Sequence, residues 1–156
     1  MPRASGAFPD FELRDPEGGL ARLGEAWVRG PALLILGHRS CKTTREMLPL
    51  VDRIHARRGE GASVVALLQD DPETARALRD QLALTLPIRL EPDPYPVAAA
   101  LDVTTVPSLF LIEKGGAIAA VSEALRRADL ESFAARLGVA GALFTPEDKV
   151  PALKPG

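Results

Sequence analysis

Six residues, Ala32–Gly37 (ALLILG), constrain the fold of this chain more than any other stretch. Its consecutive apolar side chains leave no polar face, so an extended segment here must be covered on both sides. Pro31 and Gly37 bound the run at strand length, too short for a stable helix. A second run of the same kind, SVVALL (Ser63–Leu68), follows a stretch with a different period. From Thr43 onward, Met47, Leu50, Val51 and Ile54 share one helical face, and Gly59 and Gly61 mark its end. Pro49, inside that helix, predicts a kink because it removes a backbone donor and crowds the preceding turn.

The remaining elements follow from local signals. FPDFELRDPEGGL reads as a strand with a turn at Asp15–Gly19, and Leu20, Leu23 and Trp27 as a short, packed, helical connection. Asp71, Pro72 and Glu73 supply a capping side chain, a pre-set φ and an acid at a helix start, with Ala75, Leu78 and Leu82 turned inward. PIRLEPD gives a short strand and YPVAAALDV a short helix. SLFLIE and AIAAVS flank Gly115-Gly116, a hairpin signal because glycine reaches φ > 0 without strain. The last helix is predicted over about 128–137, with Leu130, Phe133, Ala134 and Leu137 on one face and Gly138 as its stop. VAGALFTPEDKVPALKPG has three prolines and little periodicity, and reads as an extended tail pinned by Phe144. Residues 1–138 thus form one domain and 139–156 a C-terminal tail. Alternating strands and helices predict an α/β fold, a central mixed β-sheet with helices on both faces.

Composition excludes several classes. With 46% hydrophobic and 26% charged residues in a chain of 156, the sequence can bury a core and is not disordered. A net charge of −2 gives no field for nucleic acid or for an anionic membrane surface. The pairs Arg57-Arg58 and Arg126-Arg127 lie in mixed-charge stretches and read as solvated faces. No apolar run approaches the ~20 residues of a membrane span, and the first residues lack the apolar core of a secretory signal. One cysteine cannot close an internal disulfide, so the expected location is the cytoplasm.

That cysteine, Cys41, stands just before the helix of Met47, among small and polar neighbours in SCKTTREMLP. A thiol reacts as thiolate, and free N–H groups at a helix start favour that form. Thr44, one turn on, is placed to donate a hydrogen bond to it, or is an ordinary polar residue of the first turn. His38, three residues earlier, either exchanges a proton with the thiol near neutral pH or makes a backbone hydrogen bond. Cys41 itself reads as a reactive thiol or as a small, inert apolar residue. His38 and Cys41 are too few for a metal site, and no metal or other cofactor is expected.

Several motifs, in order, carry a resemblance. PDFELRDPEGG, ALLILGHRSC, Arg45 and Pro49 after Cys41, the insertion Ser63–Leu90, and ALDVTTVPSLFLIEKGGAI together resemble thioredoxin-fold redoxins of the TlpA/ResA type, within the AhpC/TSA peroxiredoxin-like group. The likeness covers about residues 6–138. It implies a thiol-disulfide oxidoreductase acting through Cys41, and the residue reading above adds Thr44 and His38 as candidate catalytic neighbours. It also implies a cis bond at Val106–Pro107, with Thr105, Val106 and Pro107 binding substrate beside the sulfur. The second cysteine of the family's site is replaced by Thr44, giving a CxxT site. The proline and threonine that precede the peroxidatic cysteine in peroxiredoxins are absent, with Leu34 and His38 in their places. The implied partners are a disulfide-bearing protein, a small thiol or a peroxide, and an external thiol that resolves the adduct. The alternatives are a non-catalytic peptide- or protein-binding module and a one-cysteine peroxidase.

Overall fold

The computed structural model describes residues 2–156. ALLILG forms β3 (Ala32–Gly37) and SVVALL forms β4 (Ser63–Leu68), paired in parallel from Ala32↔Ser63 to Gly37↔Leu68. They lie inside a seven-stranded sheet. On one side of the pair comes β5 (Ile88–Leu90), then β1 (Glu12–Arg14) and β2 (Leu20–Arg22); on the other come β6 (Ser108–Ile112) and β7 (Ile118–Glu123). β4 and β5 are also parallel, whereas β3–β6, β6–β7, β1–β2 and β1–β5 are antiparallel, so the sheet is mixed.

The absence of a polar face in β3 has the consequence expected of it. Leu33 and Ile35 join the core under α1 (Lys42–Arg57), α2 (Pro72–Leu82) and α4 (Arg127–Arg136). Leu34 and Leu36 point the other way, to Phe8, Trp27, Phe110 and the short α3 (Pro96–Ala100). Each side chain from Leu33 to Leu36 is at most 2% exposed. Burial of this kind contributes roughly 1.5–3 kcal/mol per side chain, which makes β3 the anchor of both layers.

Other local expectations hold. α1 ends at Arg57, ahead of Gly59, and continues through Pro49. Asp71 caps α2, accepting from the Thr74 amide at 2.8 Å. Gly115 and Gly116 take φ of 94° and 107° between β6 and β7. The connection at 20–27 differs from expectation. Leu20–Arg22 pairs with β1 as β2, Leu20 is 52% exposed, and only Leu23–Trp27 coils, as a 3-10 turn. On α1, His55 is half-buried, with Nδ1 sealed and unpaired, and burial pushes its pKa down.

Residues 139–156 pack closely on the domain. Val139, Leu143 and Val150 enter the α1/α4 core, and the Arg53 guanidinium lies 5.5 Å from the Phe144 ring. Arg53 also forks onto Asp148, both bonds at 3.0 Å, and holds that carboxyl down at about 2. The chain then runs as β9 (Leu153–Lys154) against β8 (Leu125–Arg126), forming a separate two-stranded sheet. Among the described residues no helix is long and apolar enough to cross a membrane.

Candidate active site

β3 ends at Gly37, and the next four residues turn the chain into α1. The Cys41 amide donates to the His38 carbonyl at 3.2 Å, and the Cys41 carbonyl accepts from the Arg45 amide at 3.2 Å. Cys41 is therefore the N-cap of α1, in extended backbone, with no side-chain capping bond. The loop is braced from two directions. The Asp70 carboxylate at the end of β4 accepts from the Arg39 amide at 2.9 Å, and the Arg45 guanidinium donates to the Arg39 carbonyl at 2.5 Å. Burial raises the pKa of Asp70, against the pull of the Arg39 amide and of His38 nearby.

The second wall of the site precedes β6. The Val106–Pro107 peptide is cis, and the Val106 carbonyl oxygen lies 3.7 Å from Cys41 Sγ, which donates to it. Ser108 Oγ donates to the Thr105 carbonyl at 2.6 Å, and the Pro107 carbonyl accepts from the Ala124 amide at 2.8 Å, so the loop is held on both sides of the bend. Between the walls opens a cleft of about 530 Å³ lined by His38, Cys41, Thr43, Thr105, Val106 and Gly156. Cys41 is half-buried, with its sulfur at the cleft rather than in the core. Beyond Val106 and His38 a second hollow of about 360 Å³ runs toward Pro94 and Tyr95.

Of the residues singled out in sequence, His38, Cys41, Thr105 and Val106 meet in this cleft, with Pro107 buried directly behind Val106. Thr44 does not join them as a thiol partner. Its side chain is 0% exposed, and its Oγ1 has no hydrogen-bond partner. The reason is the helical face: Thr44 is one turn ahead of Met47 and Leu48 and points to the sheet, filling the space left by Gly37. A Cβ on Gly37 would lie 2.6 Å from the Thr44 methyl. His38 contributes its backbone carbonyl to the turn and lines both hollows.

Sequence reasoning missed Thr43 and the segment Pro155-Gly156. Thr43 Oγ1 donates to the Pro155 carbonyl at 2.5 Å, and Gly156 packs against Val106 and Thr105. Nothing in KPG signalled this; the contact spans most of the chain. It also missed Glu91, 1% exposed, whose carboxylate accepts from the Val97 and Ala98 amides and from Gln69 Nε2 at 3.0 Å. Glu91 thereby caps α3, which lines the second hollow. Among the described residues no three His, Cys, Asp or Glu side chains group as metal ligands.

A mixed sheet with helices on both faces, a cysteine at the N-cap of α1 and a cis-proline loop facing it define a thioredoxin-like fold. The AhpC/TSA family profile matches residues 5–121, and the chain belongs to that family. Solved structures agree on the fold. A provisional DsbE-type thiol:disulfide interchange protein from Chlorobium tepidum superposes with a TM-score of 0.76 at 20% identity, covering 87% of this chain and 96% of its own. A secreted Mycobacterium tuberculosis disulfide oxidoreductase homologous to E. coli DsbE gives 0.69 at 15%, covering 81% and 95%. Peroxidoxin BcpB from Mycobacterium tuberculosis gives 0.74 at 18%, covering 91% and 100%. No curated protein matches in sequence.

Proposed function

We propose that this protein is a thiol oxidoreductase working through Cys41 alone, with an external thiol completing the cycle. The observation that carries the reading is the 3.7 Å approach of Cys41 Sγ to the Val106 carbonyl across an open cleft. A disulfide held along the Val106 backbone lies within reach of the sulfur. The Cys41 thiolate attacks one sulfur of the substrate, a new S–S bond forms, and the other substrate sulfur leaves as thiolate. A second thiolate, from a small thiol or a partner protein, then attacks the substrate sulfur of the mixed disulfide. It becomes disulfide-bonded to that sulfur and returns Cys41 as thiolate. With a peroxide, the thiolate takes one oxygen to become a sulfenic acid, and the remaining fragment leaves as hydroxide or alkoxide. In both routes the sulfur reacts beside the first turn of α1, whose N–H groups no capping side chain takes up. A reducing cytoplasm, with its thiol pool, is the compartment that suits a one-cysteine cycle.

A second reading, a peptide-binding module without chemistry, is favoured by one observation: the chain's own Pro155-Gly156 already lines the cleft and bonds to Thr43. Mass spectrometry separates the two. Folded protein treated with oxidised glutathione, and separately with stoichiometric peroxide, should gain a glutathionyl group or a single oxygen on Cys41. A thiol that accepts neither while folded, yet reacts once unfolded, leaves only the binding module.

A further inference from the structure

The segment 153–156 reaches the cleft, which Pro155 and Gly156 line, and its attachments are specific. β9 pairs with β8 through Arg126↔Leu153 and Leu125↔Lys154. Lys154 forms an ion pair with Glu46 on α1, a contact that holds the Glu46 carboxyl below its ordinary range. The Pro155 carbonyl takes the Thr43 hydroxyl. Gly156 then lies so close to the Val106 carbonyl that any Cβ there would collide with it, and would come within 3.3 Å of the Thr105 methyl.

We propose that residues 153–156 are a displaceable strap: closed, it withholds the Val106 backbone from polypeptides while leaving Cys41 open to small molecules; released, it yields the groove to an extended peptide. The inference rests on Cys41 being the exchanging thiol and concerns which substrates reach it. An extended peptide docks by main-chain pairing and must occupy the place of the strap. A small disulfide or a peroxide need not, because Cys41 keeps part of its surface in the cleft.

The hold is weak enough to be reversible. β8 and β9 are two residues each, Leu153 is 54% exposed, and Pro155 and Gly156 are exposed. Segments with few buried contacts open at small free-energy cost, while Arg53 and Asp148 keep the preceding turn in place. Glycine at 156 also fits the role, since only a residue without a side chain can lie against the Val106 carbonyl.

Access to Cys41 is read directly by alkylation, without any turnover. Intact protein, a variant lacking residues 153–156, and Gly156→Trp are each labelled with iodoacetamide and with a maleimide carrying a long polyethylene-glycol chain. If the strap is open for roughly 1–10% of the time, removing it raises the bulky rate about 10- to 100-fold, with the iodoacetamide rate changed less than about twofold. Gly156→Trp should follow the deletion, and a synthetic peptide of residues 151–156 should restore protection to the deleted form. Equal bulky rates in all three proteins, or no protection by the peptide, overturn the strap. Failure of glutathionylation in intact and deleted protein alike, with the labelling difference intact, would sink the redox reading and leave the strap standing.

Discussion

Helices α1 and α2 begin at equivalent places, each just after one strand of the parallel pair β3–β4, yet their first turns are built differently. α2 has an Asp71 side chain on the Thr74 amide, proline at its first position and Glu73 beside the positive end of the dipole. α1 has none of these: Cys41 makes no capping bond, the first turn holds no acid, and Lys42 comes first. A missing cap forgoes about 0.5–2 kcal/mol of helix stability. What α1 retains is a set of first-turn N–H groups not taken up by a capping side chain, beside a sulfur that faces the Val106 carbonyl. One start is capped for stability, and the other leaves its first N–H groups uncapped beside a sulfur.

The sharpest way to break this contrast is Cys41→Ser. Every redox adduct and any disulfide-exchange activity should vanish, while the melting temperature moves by no more than about 2 °C, since serine is itself a favoured N-cap. Retained activity, or a large fall in stability, would mean that α1 starts with a structural residue after all.

Thr44→Cys comes next. Residue 44 sits one turn below the cap and faces inward, so a thiol there would be sheltered beneath Cys41. Residues three apart on a helix bring their Cβ atoms to about 5–6 Å, and the non-helical cap residue supplies the rotation that closes the gap to the ~3.8 Å a disulfide needs. Mild oxidation should join the two sulfurs, and the variant should reduce a protein disulfide without added thiol. Two free thiols that persist after oxidation would show that the turn has left redox geometry.

Asp71→Ala tests the other helix. Loss of the cap should lower the melting temperature by roughly 2–4 °C and leave glutathionylation of Cys41 untouched. Smaller still is an acid effect confined to α2. The Thr74 amide, with its hydrogen bond, holds the Asp71 carboxyl below its ordinary 3.8. A depressed folded value means that the cap is fully formed above 3.8 and is lost as pH falls through the lowered value. The hydrogen-exchange protection factor of the Thr74 amide should therefore drop below about pH 3.8. The first turn of α1, whose cap has no carboxylate, should show no matching step.

The layered fold was legible because its signals are local. The unbroken apolar run of β3, the change of period at Thr43 and the cap at Asp71 each act within a few residues. Cys41 and Val106 could be brought together only through the family pattern, since no periodicity links residues so far apart. β2 escaped notice because three residues beginning with a mostly exposed Leu20 carry no alternation to read. The facing of Thr44 depended on Gly37, a gap in another element that becomes visible only once helix and strand are packed. The strap was the least legible part. Its bonds to Thr43 and Glu46 join positions 112 and 108 residues apart, and its decisive residue is a glycine with no side chain to leave a pattern.

The Lys154–Glu46 pair has a consequence outside redox chemistry. Its side chains are 29% and 38% exposed, so dissolved ions reach the pair and weaken it. Such pairs are worth about 0–1 kcal/mol, so screening one shifts a closing equilibrium by at most about fivefold. Ionic strength therefore acts on this protein as a dial on who may enter. In the intact chain, bulky alkylation of Cys41 should quicken modestly between dilute buffer and molar salt, while Glu46→Gln flattens the response. Salt would then tune substrate size with the sulfur chemistry unaltered.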